Sequence, residues 1–389
     1  MRNIFLAGST GSIGKNALEV ALAYPDRLAV KGIAAGHFTA ELKEQIIRLN
    51  PLYCVLPSRA ESNKAKTALK NFKGVETKFT FGEEGLHEAV LDDAFDIVLN
   101  AISGSSGLML SYRSLAAGKD LALANKESMV MAGDILNAAA KSSKAEIIPV
   151  DSEHSALFQC LRCGVKSDVN KLILTASGGP FYKTEKADFK RITVDMALNH
   201  PKWKMGKKIT IDSSTLANKG LEIIEACFLF NMDEKQVDVL IHPQAAVHSM
   251  VEFKDGSVIA QMGEADMKGP IGYALSYPRR FNGLMKPLNL AEVGSLEFFA
   301  PDNEKFPFLN LARYALRTGK SMPAVFCEAN EFFVNSFLDG KIPFNKIAGN
   351  VEKVMDGHRP FKLNGIEDVI EAKRQAGSLS KILIKKERQ

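Results

Sequence analysis

Along residues 1–149, short apolar runs alternate with longer segments whose apolar positions recur every three or four residues. Residues 3–7 read as a buried strand, followed by helical spacing to Tyr24, where Pro25 stops it. A second strand is expected over 28–35. The next helix, over 40–49, is closed by Asn50-Pro51. A third strand covers 53–56, and Ser58 caps a polar helix over 59–72. Residues 96–101 and 120–124 are further apolar strands, each leading into a helix. Strict alternation of this kind predicts a parallel, Rossmann-like sheet with helices on both faces.

The pattern changes near residue 150. Residues 246–253 and 257–262 alternate with period two around Asp255-Gly256, which predicts an antiparallel β-hairpin. Residues 278–307 are rich in Pro, Gly and Asn and read as a linker, and from Leu309 onward only helical periods and helix stops follow. The expected fold class is α/β, divided into an N-terminal parallel-sheet domain (1–149), a central α+β domain (150–277), the linker (278–307) and a C-terminal helical domain (308–389).

Composition narrows the class. The chain has 389 residues, 46% hydrophobic and 24% charged, the balance of a globular protein. Fifty basic against 45 acidic side chains leave +5, dispersed along the chain, so no basic face for nucleic acid is expected and an anionic small molecule fits better. Five scattered cysteines read as free thiols of a reducing compartment. Cys160-Leu-Arg-Cys163 lies in a helical pattern with no second pair, against a zinc or redox role. No apolar run reaches the ~20 residues of a membrane span. Strand-like sequence begins at once, leaving no room for a leader, so the expected address is the cytoplasm.

Gly8-Ser-Thr-Gly11-Ser-Ile-Gly14 lies between the first strand and the first helix, where glycines admit a pyrophosphate and the helix start offers N–H donors. A tight turn serving helix–strand packing is the alternative. A NAD site usually has an acid at the end of the second strand, on the ribose 2′-hydroxyl. Here that end reads Ala35-Gly-His37-Phe38, with no acid, which favours NADP. Four polar segments then stand where strands end: 124–128 (Ala-Asn-Lys-Glu-Ser), 149–154 (Pro-Val-Asp-Ser-Glu-His), 175–181 and 211–222. Asp151 and Glu153 flank Ser152 at a strand-to-helix corner, where two close carboxylates want a cation, although helix capping accounts for one of them. Glu222 shares a helix face with Asn218 and Lys219 and is a candidate third ligand. Carboxylates without histidine suit Mg²⁺ or Mn²⁺. Ser177, Ser213, Asn218 and Lys219 form a donor set for a dianionic phosphate. Residues 199–208, with the chain's one tryptophan, Trp203, read either as a lid or as a turn with Trp203 docked on the core.

Taken together, these blocks resemble the 1-deoxy-D-xylulose 5-phosphate reductoisomerases. His200-Pro-Lys-Trp203-Lys-Met-Gly206, Ile241-His-Pro-Gln-Ala-Ala-Val-His-Ser249 and Ala329-Asn-Glu331 extend the resemblance to nearly the whole chain. It implies a homodimer that uses NADPH and a divalent cation (Mg²⁺, Mn²⁺ or Co²⁺) to isomerise and reduce 1-deoxy-D-xylulose 5-phosphate to 2-C-methyl-D-erythritol 4-phosphate, for isoprenoid precursors. It implies metal ligands at Asp151, Glu153 and Glu222, with Lys126 and His200 joining them as catalytic residues. Substrate contacts fall on Lys126, Ser152, Glu153, Ser177, His200, Ser213, Asn218, Lys219 and Glu222. NADPH contacts fall on Thr10, Gly11, Ser12, Ile13, Gly36, His37, Phe38, Asn125, Glu127 and Gly206. One departure stands out: family members commonly carry Asn where this chain has Phe38, whose side chain cannot hydrogen-bond a 2′-phosphate.

Two other functions were open to the residues alone. One is an NADP-dependent dehydrogenase of semialdehyde or homoserine type; the semialdehyde kind needs a cysteine nucleophile in a polar, loop-like setting, which no cysteine here has. A non-catalytic NADP sensor would leave the three carboxylates without a task.

Overall fold

A computed structural model describes residues 1–199 and 205–387. The chain forms two compact units, neither continuous in sequence: residues 1–125, 136–155 and 266–286 make the first, and 126–135, 156–265 and 287–389 the second. The segments expected as central and C-terminal domains thus fall mostly in the second unit, while 150–155 and 266–277 belong to the first.

The first unit is built on a parallel sheet of β1 (Arg2–Ala7), β2 (Leu28–Ala34), β3 (Tyr53–Leu56), β4 (Lys78–Phe81), β5 (Ile97–Asn100), β6 (Asp120–Leu123) and β7 (Ile147–Pro149), in the order β4-β3-β2-β1-β5-β6-β7. Chain order reverses beside β1, the switch point outside whose strand C-termini such sheets hold their ligands. Phe5 of β1 and Phe95 meet edge to face, 5.4 Å between centroids. A Cβ at Gly32 would lie 2.4 Å from the Phe5 ring, and the β1–β2 register shifts beside that pair. The helix Ser12–Ala23 is covered by the late segment 266–286. Its helix Lys268–Ser276 contributes an ion pair from Lys268 to Glu19 at 2.9 Å, and Tyr24 stacks on Phe281 at 4.1 Å.

The second unit holds a mixed sheet of β8 (Val169–Ala176), β9 (Val237–Ile241), β10 (Val247–Phe253) and β11 (Val258–Met262), in the order β11-β10-β8-β9. The expected hairpin is β10–β11, turned at Gly256 with φ +86°. The β8–β9 pair, by contrast, is parallel. The C-terminal region is helical: Phe308–Thr318, Met322–Leu338, Ile347–Gly357 and Ile366–Glu387. Gly220 lets the helix Ala217–Phe230 lie close on the first of these, since a Cβ there would sit 2.9 Å from the Phe308 carbonyl.

Candidate active site

In the first unit the chain leaves β1 through Gly8 (φ +82°), where a Cβ would lie 2.5 Å from the Ala101 carbonyl; at Gly14 it would lie 2.2 Å from that of Gly8. Packing alone requires these two glycines. Gly11 differs: it is exposed and is the N-cap of Ser12–Ala23 without a side-chain cap, so the first-turn amides of this helix suit an anion. Thr10 and Ile13 are half-buried and Ser12 is exposed. Open space lies beside Gly36 as well, where a Cβ would meet nothing within 4 Å. Asn125 is buried, and its amide donates to the carbonyls of Ile102 and Gly104, each at 2.7 Å. It therefore shapes the loop against which Gly8 packs.

At the end of β2, Gly36 and His37 are exposed and Phe38 is half-buried. An acid does reach this turn, from another element. Glu61, on the helix Arg59–Leu69, accepts the Phe38 N–H at 2.6 Å and the Lys64 ammonium at 2.5 Å. The Lys64 hydrogen bond first, then the Phe38 amide, hold its carboxyl below the ordinary value. A reading of the strand end alone cannot find it, because it lies 23 residues further along.

At the β7 corner Asp151 accepts the Glu153 N–H at 3.2 Å, beginning the helix Ser152–Cys160, and lies 3.4 Å from Nδ1 of the buried His154. Ser152 donates to Glu153 at 2.5 Å. Capping and a carboxylate pair thus coexist at one corner.

In the second unit Glu222 is fully buried and draws in three donors. Lys126 reaches it at 2.9 Å and Asn218 at 2.8 Å, while Lys219 and the Asn218 amide also bond the Glu222 carboxylate. Gly133 makes this possible. A Cβ there would stand 2.2 Å from the Phe228 ring, so the segment carrying Lys126 lies directly on the Glu222 helix. The Ser177 loop runs through Gly178 (φ +84°) and Gly179 (φ +66°), and a Cβ on Gly179 would meet the Ser213 carbonyl at 2.8 Å. The loop that follows Ser177 therefore packs against the backbone at Ser213. The helix Lys207–Thr215, which carries Ser213, joins Ala217–Phe230 through Leu216 in the left-handed region, φ 59°.

Glu127 has a partner within the chain: Lys208 bonds it at 2.5 Å and also reaches Asp212 at 2.9 Å, and Asn330 donates to Asp212 at 2.8 Å. Burial opposes the Lys208 charge, yet the Asp212 and Glu127 carboxylates hold its ammonium well above the ordinary lysine value. Burial also opposes Glu127, and Lys208 holds that carboxyl below its ordinary value. Lys208, Asp212 and Asn330 lie within the polar segments and motifs of the sequence, which give them no role; a buried ion network leaves no periodic mark in a sequence. Gly206, just before, is exposed with open space around it. His200 and Trp203 lie outside the described residues.

The three reductoisomerase family descriptions that match cover residues 4–133 (1-deoxy-D-xylulose 5-phosphate reductoisomerase), 147–230 (its C-terminal domain) and 262–379 (DXP reductoisomerase C-terminal domain). The chain belongs to this family. The 1-deoxy-D-xylulose 5-phosphate reductoisomerase of Trichlorobacter lovleyi is 46% identical over 96% of the chain and 95% of its own length. That of Thermodesulfovibrio yellowstonii is 45% identical over 98% and 99%. Among solved reductoisomerases, the Zymomonas mobilis enzyme in complex with NADPH has a TM-score of 0.91 at 38% identity, covering 98% of this chain and 99% of that one. A second, in complex with NADPH, fosmidomycin and magnesium, has a TM-score of 0.93 at 36% identity over the full length of both.

The cysteines fit a reductoisomerase rather than a thiol dehydrogenase. All five are free; burial pushes the Cys54 and Cys227 thiols up to about 12 and Cys160 to about 11, and Cys327 is raised well above its ordinary value. No helix among the described residues is long and apolar enough to cross a membrane.

Proposed function

We propose that this chain converts 1-deoxy-D-xylulose 5-phosphate to 2-C-methyl-D-erythritol 4-phosphate, an isomerisation and reduction in isoprenoid precursor synthesis. The observation that carries this reading is Glu222, buried among Lys126, Asn218 and Lys219 in a member of this family. When bound, NADPH supplies the hydride and a divalent cation (Mg²⁺, Mn²⁺ or Co²⁺) supplies Lewis acidity.

Asp151, Glu153 and Glu222 are the ligands for the cation, an all-carboxylate set suited to a hard ion. The Lys126 and Lys219 ammonium groups that pair with Glu222 stand ready for an anionic substrate. Ser177, Ser213, Asn218 and Lys219 take the phosphate, and Ser152 and His200 complete the substrate contacts. The anchor fixes the substrate while its skeleton rearranges, an orientation effect. Lys126 donates to the reacting oxygens. The uncapped helix start at Gly11, with Thr10, Ser12 and Ile13, receives the pyrophosphate. Gly36, His37 and Phe38 take the adenosine end; Asn125, Glu127 and Gly206 complete the coenzyme contacts. The protein acts as a homodimer in the cytoplasm.

Turnover with 1-deoxy-D-xylulose 5-phosphate, NADPH and Mn²⁺, followed by loss of NADPH absorbance, tests the activity. Consumption that needs substrate and metal together is expected; none with all three present would overturn the reading. Sedimentation at twice the 42.5 kDa chain mass checks the dimer.

A further inference from the structure

The turn after β2 has one donor aimed at its surroundings that is already engaged. The Phe38 N–H points into the Glu61 carboxylate at 2.6 Å, and the same carboxylate holds Lys64 at 2.5 Å. His37, one residue away, is exposed. On the reading that residues 36–38 receive the adenosine ribose, this amide and this lysine are donors that a 2′-phosphate would use. Phe38 offers no side-chain donor of its own, so the backbone N–H carries more of the task.

We infer that Glu61 is a specificity-determining residue which weakens the preference of this chain for NADPH over NADH, because its carboxylate occupies the donors of the 2′-phosphate. NADPH binds by displacing Glu61 from Phe38 and Lys64, and the phosphate takes both donors. NADH, with a 2′-hydroxyl, has no charge to repel and can donate to the carboxylate where it stands. Glu61 remains ionised at neutral pH, since Lys64 and then the Phe38 amide hold its carboxyl below the ordinary value. Two anions cannot share one donor pair, so the cost falls on NADPH alone.

Calorimetric titration of NADPH and NADH into the full-length protein and its Glu61→Gln and His37→Ala variants tests the inference without turnover. Glutamine keeps the shape and an acceptor oxygen for Phe38, and removes the charge. For Glu61→Gln, the Kd for NADPH should fall about tenfold, the scale of one hydrogen bond to a charged group, with NADH changed less than about twofold. His37→Ala should weaken NADPH selectively if the ribose end lies at residues 36–38. Should His37→Ala act as expected while Glu61→Gln leaves the NADPH-to-NADH ratio unchanged, the role of Glu61 is overturned and the placement of the ribose survives. Should neither variant move the ratio, both fall. Weaker NADPH binding in Glu61→Gln would also overturn the inference, since Glu61 would then organise the turn rather than block it. Glu61→Ala, which removes the acceptor too, should tighten NADPH at least as much as Glu61→Gln.

Discussion

Two lysines and an asparagine converge on the Glu222 carboxylate, which is closed off from solvent. Exchanging that carboxylate for an amide keeps its size and removes the charge that balances two ammonium groups. Glu222→Gln should lower turnover roughly a hundredfold or more, the scale of one group that stabilises developing charge. NADPH affinity, measured by calorimetry, should stay unchanged. Turnover like that of the unaltered protein would remove Glu222 from the cation set. Gly179 acts at the same scale. A methyl group there meets the Ser213 carbonyl at 2.8 Å in a backbone conformation, φ +66°, that costs a side-chain-bearing residue about 1–3 kcal/mol. Gly179→Ala should therefore displace the Ser177 loop and raise KM for the phosphorylated substrate about tenfold or more. An unchanged KM would place the phosphate elsewhere.

Between elements, the Lys208 network ties the helix Lys207–Thr215 to the segment that begins at Lys126 and, through Asn330, to Met322–Leu338. Lys208→Met would bury Glu127 and Asp212 without their cation, a loss of about 3–5 kcal/mol. The pH dependence has a definite sign. Glu127 is lowered in the folded chain, so its contribution is present above its unfolded value of about 4.3 and is lost as pH falls through the folded value. Lys208 is raised, so its contribution is present below about 10.4 and is lost as pH rises through the folded value. In Lys208→Met the buried Glu127 carboxyl takes up a proton more readily, and the Tm gap to the unaltered protein should narrow from neutral pH toward about pH 5. A constant gap would show that the pair carries no net charge energy.

Local chemistry made many of these elements legible in the sequence. The helix Ala40–Leu49 and strand β3 have the bounds that their patterns predict, and the Ser58 hydroxyl does accept the Glu61 N–H. Strand β4 was missed because Lys78-Phe-Thr-Phe81 is a short, partly exposed sheet edge with no apolar run. The parallel β8–β9 pair was missed because a crossover of some 60 residues separates partners that carry no mutual signal. At the candidate site, glycine spacing and the polar segments point to candidate residues, but the Lys126–Glu222 and Lys208–Glu127 pairs depend on tertiary proximity and have no local trace. The burial of Glu222 likewise ran against an amphipathic reading, since its helix is buried on nearly every side from Ala217 to Cys227.

For the molecule as a whole, thiol chemistry separates the reductoisomerase from a cysteine-based dehydrogenase. Four of the five cysteines are buried and Cys163 is exposed. A thiol reagent at neutral pH should modify one cysteine quickly and leave turnover intact; loss of activity in step with a buried thiol would reopen a cysteine mechanism. The late return of residues 266–286 to the first unit has a further consequence, for biosynthesis. A ribosome delivers chains from the N-terminus, so all seven strands of the first sheet emerge before the segment that covers Ser12–Ala23. Until then this helix lacks the Lys268 ion pair on Glu19, and Tyr24 just beyond it lacks the Phe281 ring that stacks on it. The second sheet, residues 169–262, is synthesised in that interval. Nascent chains ending near residue 155 should therefore remain protease-sensitive and hold to chaperones, and adding a peptide of residues 266–286 in trans should protect them.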